Sequence, residues 1–427
     1  MMHTFVSLFK NKETHNRIFF TLAMLLIYRV GAALPVPGVN TETLAQSLAN
    51  NSLLSIMNML GGGALERLSI FAMGVTPYIT ASIIIQLLSM DVIPSLTEMT
   101  KSGQTGRMKI ERITRYLGVV LAFVQAYSLV YGFDKQYRVL TNANLSGYLY
   151  TATVMTAGSM FLIWIGDRIS MKGIGNGLSI IIFAGIVSNM PAAFMQVYQI
   201  LAGGTTQGEL FNGILQFALY CVLYLTVVVF VIIMETAVRK IPIQYTNSSA
   251  ARSGSDITFL PLKINSASVI PVIFAQSIMM APQIVISFIN TDLYNKLSQW
   301  LSLSTPTGLG LYALLTILFT FFYTDLQVDP EKVAENLGKS GAYIPGIRPG
   351  NETKTYLHKV LNRITVLGAI GLTLIAVVPY LLTMFTPLSQ ATAVGGTGII
   401  IVVGVAMETV KQLKGQLTQK QYKGFLR

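Results

Sequence analysis

Apolar residues in this chain gather into ten long runs separated by charged segments. A helix that crosses a bilayer needs about 20 mostly apolar residues. The runs at 17–36, 71–90, 115–133, 149–168, 177–197, 213–236, 265–289, 308–327, 361–384 and 394–413 reach that length. The pattern predicts an all-α polytopic membrane protein with ten transmembrane helices. Ten spans divide into five and five, and an odd number per half sets the halves in opposite orientation, the arithmetic of an inverted repeat. The expected organisation is an N-terminal half over 1–197, a C-terminal half over 198–413 and a tail over 414–427. No letter-by-letter match between the halves accompanies this parity argument.

One stretch departs from the pattern. Met57–Leu88 reads MNMLGGGALERLSIFAMGVTPYITASIIIQLL. Its first half is short and carries Gly61, Gly62 and Gly63, where a stable helix needs better formers. Its second half, from Ser69, is apolar enough to span but holds Pro77. Non-helical backbone at membrane depth is tolerated only inside protein or beside a water-filled cavity. The stretch therefore points to a membrane protein with something to open.

Composition agrees with the pattern. The chain has 427 residues, 52% hydrophobic and 11% charged, against roughly 25% charged in soluble domains. Cys221 stands alone, so no disulfide and no cysteine-based metal site is expected. His3, His15 and His358 share no ligand spacing. A cleaved leader is a poor reading of the N-terminus. Lys10, Lys12 and Arg17 precede an apolar run, but Arg29 interrupts it and Pro35-Val36-Pro37-Gly38 ends it as a helix exit would.

The net charge of +12 is explained by topology rather than by nucleic acid. With the N-terminus inside, the inner segments hold 25 Lys and Arg residues, and the outer segments hold only Arg67, Lys135, Arg138 and Lys296. This positive-inside bias places both termini in the cytoplasm. The long inner loops, Asp91–Thr114, Arg239–Lys263 and Asp329–Lys359, read either as solvated connectors or as a docking surface. The glycines and prolines around Arg348 favour a shaped loop.

Enzyme and transporter chemistry find little support. There is no HExxH motif and no Walker loop. Gly173-Ile174-Gly175-Asn176-Gly177 follows a span rather than a strand, so it reads as a tight turn and not as a nucleotide loop. Arg29 lies in the outer part of the first span and can snorkel. Asp167, Glu235, Asp325 and Glu408 lie toward inner ends, which disfavours the midplane charges of an ion-coupled transporter. A small-solute secondary transporter and a membrane scaffold without transport are the alternative classes.

Several apolar side chains lie beside proline or glycine breaks. Val75 and Ile79 share a helix face, as do Leu178 and Ile182. Ile273 follows Pro271, and Ile401 follows Gly395-Gly396-Thr397-Gly398. Each alone reads as packing; together they suggest a hydrophobic constriction. Polar residues inside spans, namely Thr80, Ser82, Gln86, Gln125, Ser268, Gln276 and Ser277, read as interhelical hydrogen-bond glue or as a seam weak enough to open.

These residues resemble the SecY/Sec61α family of protein-translocation channels. Ser69–Leu88, with Gly74, Pro77, Tyr78, Ser82 and Gln86, is similar to one family signature. Trp164–Ile182 (WIGDRISMKGIGNGLSIII) is similar to a second. Leu34–Val39, Val269–Phe274, Ser340–Gly350 and Gly395-Gly396-Thr397 also fit, over roughly 17–413, with the bacterial form fitting best. The resemblance implies two five-helix halves around an hourglass pore, with a plug at about 57–68 containing Asn58, Gly61, Gly62, Gly63, Leu65 and Arg67. It implies a pore ring of Val75, Ile79, Leu178, Ile182, Ile273 and Ile401. A lateral gate would run between spans two and three and spans seven and eight, edged by Thr80, Ser82, Gln86, Gln125, Gln276 and Ser277. Arg252, Lys263 and Arg348 would dock the SecA motor ATPase or the ribosome. SecE and SecG would be membrane partners in the plasma membrane. Unfolded preproteins, signal sequences and membrane lipid would meet the channel, which would need no cofactor and catalyse nothing. The tip Ala251–Asp256 carries one arginine where a basic pair is common, and an accessory paralogue with fewer substrates is also compatible.

Overall fold

The computed structural model describes residues 12–40, 63–65, 67–89, 93–202, 207–245, 258–289, 297, 300–303, 305–385 and 396–424. The described chain is mostly helical. Its helices are α1 (Lys12–Ala33), α2 (Thr76–Leu88), α3 (Pro94–Lys101), α4 (Gly103–Tyr137), α5 (Leu145–Lys172), α6 (Gly177–Ala202) and α7 (Gln207–Thr236). After strands β1 (Val238–Tyr245) and β2 (Thr258–Lys263) come α8 (Ile270–Ile289), α9 (Pro306–Gln327) and α10 (Pro330–Lys339). Strand β3 (Ala342–Tyr343), α11 (Asn351–Phe385) and α12 (Gly396–Gly424) complete the order. Each predicted span falls on a helix. Among the described residues, seven helices are long and apolar enough to cross a membrane; α2 is a shorter apolar helix.

Two sequence expectations change. Residues 71–75 are turns, not helix, and Pro77 lies in the first turn of α2. Proline is tolerated there because its missing N–H would have no intrahelical acceptor. Gly74, at φ +58, redirects the chain just before the helix starts. The remaining 13 residues are about 20 Å long, short of the roughly 30 Å hydrocarbon core. Pro77 thus begins a half-length helix instead of breaking a full one.

The all-α expectation also needs amending. The loop Arg239–Lys263 contributes an antiparallel hairpin, and β3 joins it in the order β2-β1-β3. Val238 pairs with Lys263 and Ile243 with Thr258. Alternation drives this: Ile241 and Ile243 point inward, buried with Leu262, Ala334, Leu337, Ile344 and Leu357. The sheet and α10 therefore form a small separate core on the basic end of the bundle.

Asp329 caps α10. Its Oδ1 accepts from the Glu331 and Lys332 backbone N–H groups at 3.0 and 3.3 Å, and its Oδ2 lies 3.1 Å from Lys332 Nζ. Burial pushes this carboxyl up, but the Lys332 side chain and the two backbone donors outweigh burial and hold it below the usual carboxylate range. A depressed folded value means the stabilisation is full above the unfolded pKa of about 3.9. It is lost as pH falls through the lowered value. Replacing Asp329 by alanine is expected to cost about 1 kcal/mol locally at neutral pH. Hydrogen exchange over 330–339 should rise at pH 7 and match the parent well below pH 3; equal exchange at pH 7 would refute the cap.

Within the bundle, α2 packs on α4, α4 on α5, and α5 on α6, with α1 against α5 and α6. Helix α8 packs on α9 and α9 on α11, while α12 lies against α6, α7 and α11. The first group meets the second along α6–α7, α6–α12 and α4–α8.

Candidate functional site

The turns from Gly63 to Val75 lie deep among the helices. Ala64, Leu65, Leu68, Phe71 and Val75 are each 5% exposed or less. Buried irregular backbone must satisfy its own polar groups. Here Ser69 N–H donates to Ala64 O at 2.9 Å, and Ile70 N–H to Leu34 O at 3.1 Å. Val36 N–H in turn donates to Leu68 O at 3.0 Å. The segment Leu34–Asn40 thus straps the turns in place through the antiparallel Pro35–Ser69 bridge.

The strap's other edge is tied to the far end of α4. Asn40 N–H donates to Val139 O at 2.8 Å, and Thr141 N–H to Gly38 O at 3.1 Å. Asp134 holds that loop in shape. Its Oδ1 accepts from Leu140 N–H at 3.0 Å and its Oδ2 from the Tyr148 hydroxyl. Two glycines admit the turns. A Cβ on Gly31 would sit 2.1 Å from the Phe71 ring, and one on Gly158 would sit 2.0 Å from Ile70 O. Gly63 takes φ +81 beside Asn189 of α6.

The candidate constriction residues fall in two clusters with a shared member. Val75, Ile79, Leu178 and Ile182 pack with Tyr28, Phe71, Leu162 and Ile181. Ile182, Ile273 and Ile401 pack with Ile186, Val272 and Ile400. Ile182 joins the two sets, so four of the six touch one cluster and three the other. Leu178 and Ile182 are aimed by the turn before α6. Gly175 adopts φ +71, and Asn176 Oδ1 accepts from Leu178 and Ser179 N–H at 3.2 and 3.4 Å. The sequence reading of this turn as tight glycine geometry holds.

The polar residues of spans two, three and seven do not act as interhelical glue where their bonds are resolved. The Thr80 hydroxyl donates to Thr76 O on its own helix, and Gln86 Nε2 to Ser82 Oγ one turn away. Gln276 is 4% exposed and its Nε2 is buried without a partner. Gln125 and Ser277 are half-buried. The contact of α2 with α8, α9 and the turn before α8 is instead apolar: Ile83, Ala267, Phe274 and Tyr323, flanked by Ile79, Leu87, Ile270 and Phe319. Sequence reading missed Ile83, Phe274 and Tyr323, although Ile79 and Ile83 share a helix spacing that marks this face.

Of the plug candidates, Asn58, Gly61 and Gly62 lie outside the described residues. Leu65 is fully buried and Arg67 is exposed. Arg252 also lies outside them. Lys263 ends β2 exposed, and Arg348 is exposed in a turn whose carbonyl accepts from Thr353 Oγ1 at 2.8 Å. An open groove lined by Gly346, Ile347, Glu352, Lys354, Tyr356 and Lys359 lies beside it. Arg29 does not reach only for solvent: its Nη1 donates to Ser188 Oγ at 3.0 Å. Among the described residues, no group of three or more metal-ligating side chains is present.

Fold and site together define a polytopic helical membrane protein that encloses irregular backbone beside two apolar clusters joined at Ile182. The SecY family model matches residues 69–410. Protein translocase subunit SecY of Staphylococcus aureus (strain NCTC 8325) is 46% identical over 429 residues, covering 100% of this chain and 99% of the relative. The Staphylococcus carnosus (strain TM300) subunit is 45% identical over the same length and shares. A solved chain described as "The structure of a protein conducting channel" superposes with TM-score 0.65 at 18% identity, covering 93% of this chain and 91% of that one. Sec61 in the canine ribosome-channel complex gives TM-score 0.62 at 17% identity, covering 93% and 91%. The chain belongs to the SecY family.

Proposed function

We propose that this chain is the central channel subunit of a protein translocase. It passes unfolded secretory polypeptides across the membrane and releases membrane helices sideways into lipid. The observation that carries this reading is the buried backbone at 63–65 and 68–75, strapped by Leu34–Asn40 and packed in one apolar cluster with Ile79, Leu178 and Ile182.

In this reading the ten helices form two inverted five-helix halves, 1–197 and 198–413, around an hourglass pore, with 414–427 as the tail. Both termini face the cytoplasm of a plasma-membrane protein. Residues about 57–68 are the plug, and Val75, Ile79, Leu178, Ile182, Ile273 and Ile401 form the ring. An apolar ring seals around a passing chain without binding any one sequence. The seam between α2 with α4 and α8 with α9 is the lateral gate, edged by Thr80, Ser82, Gln86, Gln125, Gln276 and Ser277. SecE and SecG complete the membrane complex. SecA or the ribosome docks on the basic end, where Arg252, Lys263 and Arg348 present positive charge. SecA spends the ATP and the channel hydrolyses nothing.

The test places cysteines at Ile79, Ile182 and Ile273, one at a time, in a Cys221→Ser background. A secretory polypeptide stalled during motor-driven translocation is expected to crosslink at all three positions. Absence of crosslinks in an assembled complex that still holds the stalled chain would overturn the ring assignment.

A further inference from the structure

A polar cluster unused by the proposed function lies where α7 ends and α8 begins. Glu235, in the last turn of α7, is 7% exposed. Its Oε1 accepts from Asn265 Nδ2 at 2.8 Å. The Asn265 amide is shared with the Ser268 carbonyl at 3.3 Å. From α12, Lys411 Nζ donates to the Glu235 backbone carbonyl at 3.3 Å. A buried carboxylate is costly unless it is bonded; here it ties the end of α7 to the segment before α8, while α12 joins through the Glu235 backbone.

Two features mark this junction as strained. Asn265 Oδ1 is buried with no hydrogen-bond partner. Ser268 adopts φ +54, in the left-handed region that favours glycine. Such backbone persists only where its surroundings over-determine it. Ser268 also sits between two neighbours with different partners. Ala267 packs in the α2–α8 seam, and Val269 packs in the cluster that contains Ile273 and Ile401.

We infer that Glu235 and Asn265 form a latch that holds Ser268, and with it the start of α8, in its sealed position, with Glu235 as a positioning residue for the gate. The latch rests on the reading of α2 and α8 as edges of the lateral exit. Its release frees Ser268 to return to ordinary φ. The first turn of α8 then re-aims, carrying Ile270, Ile273 and Phe274 away from α2. Strain and latch oppose each other, so removing one or the other drives the gate in opposite directions.

The test uses the full channel complex in membrane vesicles, with Ile83→Cys and Phe274→Cys introduced in a Cys221→Ser background. The rate of disulfide formation between the two introduced cysteines in the resting channel reports closure. Asn265→Ala, which removes the donor, is expected to slow it about fivefold. Glu235→Gln keeps the shape, loses the charge, and is expected to slow it about twofold. Ser268→Gly relieves the strain and is expected to leave the rate at or above the parent's. A merely structural junction would slow all three alike. Parent-like rates in both Asn265→Ala and Glu235→Gln, or slowing in Ser268→Gly equal to theirs, would overturn the latch. Should Asn265→Ala not accumulate, the opposite directions of the other two decide. Failure of the exit reading is distinct: the formed disulfide would then leave translocation of a secretory protein unimpaired.

Discussion

Replacing Gly158 by valine is expected to unseat the turn at Ile70–Phe71 and raise ion conductance through the resting channel. Any Cβ at this position would sit 2.0 Å from the Ile70 carbonyl oxygen, and that neighbour is backbone, which has no rotamer to retreat into. Helix α5 is pinned there by its packing on α4 and α6, so the turn must yield. Overpacking of this kind costs about 2 kcal/mol, which multiplies the displaced population about thirtyfold. Gly158→Ala should show the same direction with a smaller size. Gly310→Ala, where an added Cβ meets nothing within 4 Å, serves as the comparison. Single-channel recording in planar bilayers reads the effect. Equal conductance for Gly158→Val and Gly310→Ala would show that this contact does not seat the turn.

The second large effect is expected at Asp134. A carboxylate in the last turn of a helix opposes the helix dipole, and this one is only 6% exposed. It is retained because it accepts from Leu140 N–H and from the Tyr148 hydroxyl, both close to the α4 terminus. Arg138, at φ +49, ends the helix and turns the chain toward that carboxylate. Asp134→Ala leaves two donors without their acceptor and is expected to destabilise this end of the bundle by about 3 kcal/mol. Tyr148→Phe should cost about 1 kcal/mol. Because both changes break the same bond, the double variant should be no less stable than Asp134→Ala alone. Thermal unfolding in mild detergent measures the three. A double variant destabilised by the full sum of the singles would argue that the two side chains act separately.

What the chain's pattern reveals, and what it hides, follows from the range of each interaction. The apolar runs were legible because a bilayer imposes one length on every crossing helix. Val75 with Ile79, and Leu178 with Ile182, were legible because helical spacing puts each pair on one face. Pro77 was misplaced because a proline looks alike in a first turn and in a helix interior; only the turn at Gly74 tells them apart. The hairpin was hidden by its charges and by Pro242, though Ile241 and Ile243 alternate with the exposed Lys240, Pro242 and Gln244 as a half-buried strand does. Gly31 and Gly158 looked like ordinary helix glycines, because the atoms they admit come from Phe71 and Ile70 of a distant segment. Glu235 reads as a charge near a helix end, since Asn265 becomes its partner only after folding, and the pairing of Asp134 with Tyr148 leaves no mark in the sequence for the same reason.

The strap carries a consequence for the order of synthesis. Thr141 bonds to Gly38 across 103 positions of chain. At about 5–20 residues per second, a ribosome delivers that second edge roughly 5–20 s after the first. Until then the backbone groups of Gly38 and Asn40 must find their partners in water, so the segment has to wait on an aqueous side of the membrane. A newborn copy of this protein therefore passes through an interval in which its first two helices are in place and this strap is still unfastened.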